Sequence, residues 1–138
     1  MTTPPPEDRL RRLAAWADRF ADPSFSVGEW VPSTTGADGV IHLGWFERSE
    51  AAQEFVSEMY RLGWVYSFDW MAWLQTPEGH RLSSGPDPVA TATTEDLARL
   101  LTAIIRGDRF SEGQLDGAFR SGILQAIARR AQTLIPAV

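Results

Sequence analysis

Thr94-Glu-Asp-Leu-Ala-Arg-Leu-Leu-Thr-Ala-Ile-Ile-Arg-Gly107, continued by Asp108-Arg-Phe-Ser-Glu-Gly113 and a further run to Leu134, is the stretch on which the fold turns. Leu97, Leu100, Leu101, Ile104 and Ile105 recur at i, i+3, i+4, i+7 and i+8, the stripe of a helix with one buried face. Thr93 with Asp96 predicts its cap. Gly107, just past the last apolar position, predicts a left-handed stop, and Arg106 suits the negative end of the helix dipole. Ser111 with Gln114 predicts a capping box opening a second helix, with Leu115, Ala118 and Phe119 on its apolar face and Gly122 at its end. Leu124, Ile127, Ala128, Ala131, Leu134 and Ile135 predict a third. The bend from Arg106 to Gly113 carries the densest set of charges and turn residues in the chain.

Working outward, Leu10, Leu13, Ala14, Ala17 and Phe20 predict a helix opened by Glu7 and stopped at Asp22-Pro23, behind a disordered proline-rich tail over residues 1–6. Phe25 to Val31 and Val40 to Phe46 are rich in aromatic and β-branched residues and predict a small hairpin around the loop Pro32 to Gly39. Glu47 to Leu62 reads as a helix with Ala52, Phe55, Val56 and Met59 inward, and Gly63 ends it. Its Glu47, Glu50, Glu54 and Glu58 share one stripe and repel by about 0.2–0.5 kcal/mol per pair, so the stripe is either a solvated face or the counterpart of an arginine-rich surface. Trp64, Trp70 and Trp73 fall within ten positions, and Asp69 predicts the cap of a short helix through Leu74. Thr76 to Thr93 reads as a long loop of Pro, Gly, Ser and Thr. The fold class is therefore mainly α, a single compact domain over residues 7–138 with about five to six helices and room for a short β-hairpin near residues 25–46.

The composition excludes much chemistry. The 138 residues contain no cysteine, lysine or asparagine. Disulfides, thiolate metal sites, cysteine nucleophiles, Schiff bases and the phosphate-loop lysine are all ruled out. A formal charge of −5 disfavours broad binding to nucleic acid or anionic membrane, since both depend on summed positive charge. All 13 basic residues are arginines, a usage expected of a high-GC bacterial genome. No apolar run approaches the roughly 20 residues of a membrane span, and the first residues are proline-rich and charged rather than apolar, so a cytoplasmic location is expected. His80, Ser83, Ser84 and Asp87 lie in one loop, where a rigid catalytic triad is improbable.

Two blocks, Phe68-Asp69-Trp70 with Trp73, and Arg106-x-Asp108-Arg109-Phe110-x-Glu112-Gly113 followed by Gly122, resemble a family of uncharacterised prokaryotic proteins known as a domain of unknown function. The resemblance covers roughly Phe55 to Leu134, with Ser111 where many relatives carry cysteine, and implies no activity, substrate or cofactor. On chemistry alone, Asp69, Trp70, Trp73, Arg106, Asp108, Arg109 and Glu112 are the candidate ligand-binding residues. The tryptophans can stack a planar group and the arginines can grip a carboxylate or phosphate bidentately. The competing reading is a scaffold in which Arg106 and Arg109 bridge Asp69, Asp108 and Glu112. The leading expectation is a small cytoplasmic binding protein that recognises a protein partner or small anionic ligand at this Trp/Arg corner, with no catalytic residue, metal or cofactor assigned. One alternative is a small hydrolase or transferase using Asp69, Glu112 and the two arginines. Another is a structural homo-oligomer in which the acidic stripe of one subunit meets the arginines of the next.

Overall fold

The computed structural model describes residues 6–136, so residues 1–5 of the tail expected over 1–6 lie outside them, while Pro6, expected in that tail, is the first residue of a helix. The chain enters through α1 (Pro6–Ala14) and α2 (Trp16–Ala21). Ala15 between them keeps helical dihedrals and donates its N–H to Arg11 O at 3.0 Å, so the two run on as one rod. Leu10, Leu13, Ala14, Trp16 and Phe20 are its buried face.

The ribbon follows. β1 (Gly28–Val31) pairs antiparallel with β4 (Trp45–Arg48), and β2 (Thr34–Thr35) with β3 (Ile41–His42). Both ladders share one register, Val31 facing Trp45 and Thr34 facing His42. They form a single hairpin interrupted at Pro32, which has no N–H to give. The expected hairpin thus reaches two residues further, to Arg48. Strand alternation puts Trp30, Phe46 and Arg48 on one face, and Glu29, Val31, Trp45 and Glu47 on the other, with Ile41 and Leu43 continuing that second side.

α3 (Glu50–Arg61) starts three residues later than the acidic periodicity predicts, because Ser49 Oγ accepts the N–H of Ala52 at 3.1 Å and fixes the N-cap there. Glu47 therefore belongs to the ribbon. Two of the remaining three acids are offset within the chain: Glu54 meets Arg19 at 3.1 Å, and Glu58 meets Arg61 at 3.6 Å and accepts the Trp16 indole N–H at 3.4 Å. At its end Gly63 (φ +79°) donates to Tyr60 O at 3.1 Å and Trp64 donates to Met59 O at 3.0 Å, the paired bonds of a Schellman stop.

α4 (Trp70–Leu74), α5 (Pro77–Ser83), a 3-10 turn (Asp87–Thr91), α6 (Thr94–Gly107), α7 (Gln114–Arg120) and α8 (Ile123–Leu134) complete the chain. With α1 and α2 counted as one rod there are seven helices among the described residues, one more than the upper expectation. The extra one, α5, lies in the stretch expected to be loop. Thr76 accepts the N–H of Gly79 at 3.1 Å, Pro77 occupies the first turn, and only Leu82 offers a fully buried apolar side chain, so no periodicity could show. The architecture is mainly helical with a small antiparallel ribbon, in one compact domain.

α6 is the axis. Every residue from Asp96 to Ile105 except Arg99 is buried, and α4, α5, α7 and α8 all pack on it. Its capping box is present as expected, Thr93 accepting from Asp96 N and Asp96 from Thr93 N at 3.1 Å each. Thr102, fully buried, accepts the N–H of Tyr66 at 3.2 Å, and its hydroxyl lies 2.8 Å from Ala98 O and 3.2 Å from Trp64 O. This fixes where the tryptophan-rich segment crosses the central helix. On the opposite side of the core, Phe20 stands 5.2 Å from both Phe25 and Phe55 and 5.7 Å from Trp16. Such aromatic pairs add about 0.5–1.5 kcal/mol each beyond the area they bury.

Candidate functional site

The bend between α6 and α7 is built around one carboxylate. Gly107 is not the left-handed stop its position suggests; it is the last helical residue, and a Cβ there would lie 2.3 Å from Gln114 Oε1. Asp108 takes over the end of the helix with its side chain 7% exposed. Its Oδ1 accepts the N–H groups of Gly113 and Leu115 at 3.1 Å each. Gly113 is the N-cap residue of α7 and Leu115 lies in its first turn, so Asp108, six residues before the helix begins, takes the place at its start that Ser111 was expected to fill. Its Oδ2 receives Arg48 Nη2 at 2.5 Å. Glu112 accepts the backbone N–H of Phe46, and the Trp30 ring lies over Gly113.

Asp108, Glu112 and Gly113 therefore form a socket in which the inner face of the ribbon sits. The scaffold reading applies to these residues, but with Arg48 of the ribbon as the partner in place of Arg106 and Arg109. Arg48, Trp30 and Phe46 were not among the candidates. A sign of them was present in the strand alternation, which puts all three on one face, though nothing in it names the bend as their target.

The other candidates divide. Asp69 caps α4, accepting Ala72 N–H at 3.0 Å, as expected. Trp73 is half-buried and stands 6.4 Å edge-on to Phe68. Trp70, also half-buried, reaches the bend, its ring 6.1 Å from that of Phe110 and tilted by 37°. Arg106 is half-buried and Arg109 exposed, and among the described residues neither has a carboxylate within salt-bridge distance. The structure thus joins Trp70 to the segment bearing Arg106 and Arg109, while Asp69 and Trp73 serve α4 and its packing.

Beside this corner runs a groove of about 490 Å³ between α4–α5 and α7, floored by Leu100, Ala103 and Ile104 of α6. Gln75, His80, Gln114 and Ser121 supply polar edges. Trp70 lies one helical turn before Leu74, which lines the groove, and Arg106 one turn beyond Ala103, so the corner adjoins one end of it. None of the seven candidate residues lines it. Ser83 and Ser84, also on its wall, each direct the hydroxyl to a carbonyl of their own helix, Gly79 O and Arg81 O, at 2.7 Å. Ser83 Oγ also lies 3.4 Å from the His80 carbonyl, and among the described residues neither hydroxyl is bonded to the His80 imidazole. No cluster of three or more His, Cys, Asp or Glu placed to hold a metal occurs among the described residues, and no helix there is long and apolar enough to cross a membrane.

The chain belongs to a family of unknown function (DUF6508), which matches residues 5–137. Comparison with curated proteins and with solved structures finds no match.

Proposed function

We propose that this chain is a binding protein whose recognition surface is the corner formed by Trp70, Phe110, Arg106 and Arg109, and whose target carries a carboxylate or phosphate. The observation that carries this reading is that, among the described residues, both arginines lack a carboxylate partner while the acids next to them in sequence, Asp108 and Glu112, hold the ribbon. A guanidinium left open beside an aromatic face suits a planar anion, which it can grip with two parallel hydrogen bonds. The socket beneath keeps the bend rigid, so little ordering entropy opposes binding there. The cytoplasmic location expected from the sequence belongs to the same reading.

A second reading is favoured by the groove, whose apolar floor and polar rim fit a small amphipathic molecule with its charged end towards Arg106. A thermal-shift screen of small carboxylates and phosphate esters tests both. Arg109→Ala should abolish the shift given by a corner ligand, since a charge-assisted hydrogen bond contributes about 1.5–3 kcal/mol. A screen with no arginine-dependent hit, repeated with acidic peptides to the same result, would end the corner reading.

A further inference from the structure

The outer face of the ribbon is apolar and acidic at once. Ile41, Leu43 and Trp45 follow one another along it at 65%, 79% and 48% exposure. Glu29 and Glu47 stand directly opposite each other on the ladder, and among the described residues no arginine pairs with either. Like charges placed so are destabilising, and a two-stranded ribbon with one bare apolar face is marginal in water. A covering surface should therefore be apolar and carry cations. The corner has that character: Phe110 is 75% exposed, Met71 is exposed nearby on α4, and among the described residues Arg106 and Arg109 lack carboxylate partners. The two surfaces also adjoin in one molecule, because the ribbon's inner face is seated on Asp108, Glu112 and Gly113.

We propose that the anionic partner recognised by the corner is a second copy of this chain, whose ribbon lays Ile41, Leu43 and Trp45 on Phe110 and sets Glu29 and Glu47 against Arg106 and Arg109. This rests on the corner reading above and names its partner. Because ribbon and corner are neighbours, a two-fold axis beside them makes both contacts twice and closes the assembly as a dimer instead of a filament. The arrangement removes the facing-carboxylate repulsion and the bare apolar face together. It leaves α3, whose Glu54 and Glu58 meet arginines of their own chain, outside the interface.

The test is sedimentation velocity on the full chain and two charge-reversed variants, with circular dichroism to confirm that both fold. The native chain should sediment at twice 15.4 kDa. Glu29→Arg with Glu47→Arg should be monomeric, and so should Arg106→Glu with Arg109→Glu, each weakening association by about a hundredfold or more through like-charge contact. Mixing the two should restore a dimer, since each reversed ribbon then faces a reversed corner of opposite sign. A native chain that stays monomeric up to about 1 mM, variants that dimerise unchanged, or a mixture that remains monomeric would each overturn the proposal. A monomeric native chain that still gives an Arg109-dependent thermal shift with a small anion would overturn the dimer alone and leave the corner reading standing.

Discussion

Arg48, at the end of β4, meets Asp108, at the end of α6, with 2.5 Å between Nη2 and Oδ2, and this pair is what couples the ribbon to the helical body. Asp108 holds two backbone N–H groups of the next helix with its other oxygen. Removing it leaves three donors without an acceptor, one of them a guanidinium only 26% exposed. Asp108→Ala should therefore destabilise the chain by about 3 kcal/mol in urea unfolding. Asp108→Asn, which keeps a carbonyl oxygen for the two N–H groups, should lose clearly less. Equal losses for the two would mean that the cap contributes nothing beyond the ion pair.

Gly113 is constrained twice. Its φ of +95° lies in the region L side chains avoid, and a Cβ would stand 2.7 Å from Trp30 Cζ2. Gly113→Ala should cost about 1–2 kcal/mol from the backbone alone, with the ring contact in addition. Trp30→Ala relieves only the second cost. In a double-mutant cycle the two changes should be less damaging together than their sum. Strict additivity would show that the indole moves aside freely.

Much of the helical frame was legible because it rests on local rules: the α6 stripe and its capping box, the Gly63 stop, and Asp69 as the cap of α4. Where the sequence misled, a contact distant in sequence had displaced the local rule. Ser111 and Gln114 have the spacing of a capping box, but the start of the helix is held by Asp108, which takes the N–H groups of Gly113 and Leu115 and is itself held in place by Arg48, sixty residues away. Glu47 continued a helical acidic period, yet pairing with Glu29 put it in the ribbon. The bend and Trp70 stand out in the sequence through their chemistry, and the structure sets the Trp70 ring 6.1 Å from that of Phe110. The groove leaves no sign in the sequence because α5 packs by its backbone, Gly79 lying so close to Trp73 O that a Cβ would come within 2.1 Å.

Asp22 supplies a test by pH. Its carboxylate accepts the backbone N–H of Ser24 at 2.8 Å and the Ser24 hydroxyl at 2.7 Å, and these bonds, the backbone one foremost, hold its pKa below the ordinary 3.8. A depressed folded-state pKa means that the stabilisation is present above the unfolded value and is lost as pH falls through the folded one. Carbon-detected NMR titration should put the Asp22 midpoint below that of a model aspartate. Ser24→Ala should raise it part of the way, because the backbone bond survives. A native midpoint at or above the ordinary value would show that the turn does not persist in solution.

Gly117 gives the cleanest way to separate groove from corner. It lies on α7 at the edge of the groove, with no atom within 4 Å of where a Cβ would sit. Replacing a helical glycine with alanine gains about 0.8–1 kcal/mol of helix propensity, and leucine gains nearly as much while projecting into the open space. Gly117→Ala and Gly117→Leu should both melt higher than the native chain. A ligand seated in the groove should be retained by the alanine variant and excluded by the leucine one. A ligand held only at Arg106 and Arg109 should bind both equally, because the corner adjoins the groove without lining it. If Gly117→Leu melts below the native chain, the space beside α7 is not open in solution, and the groove falls as a binding site whatever the corner does.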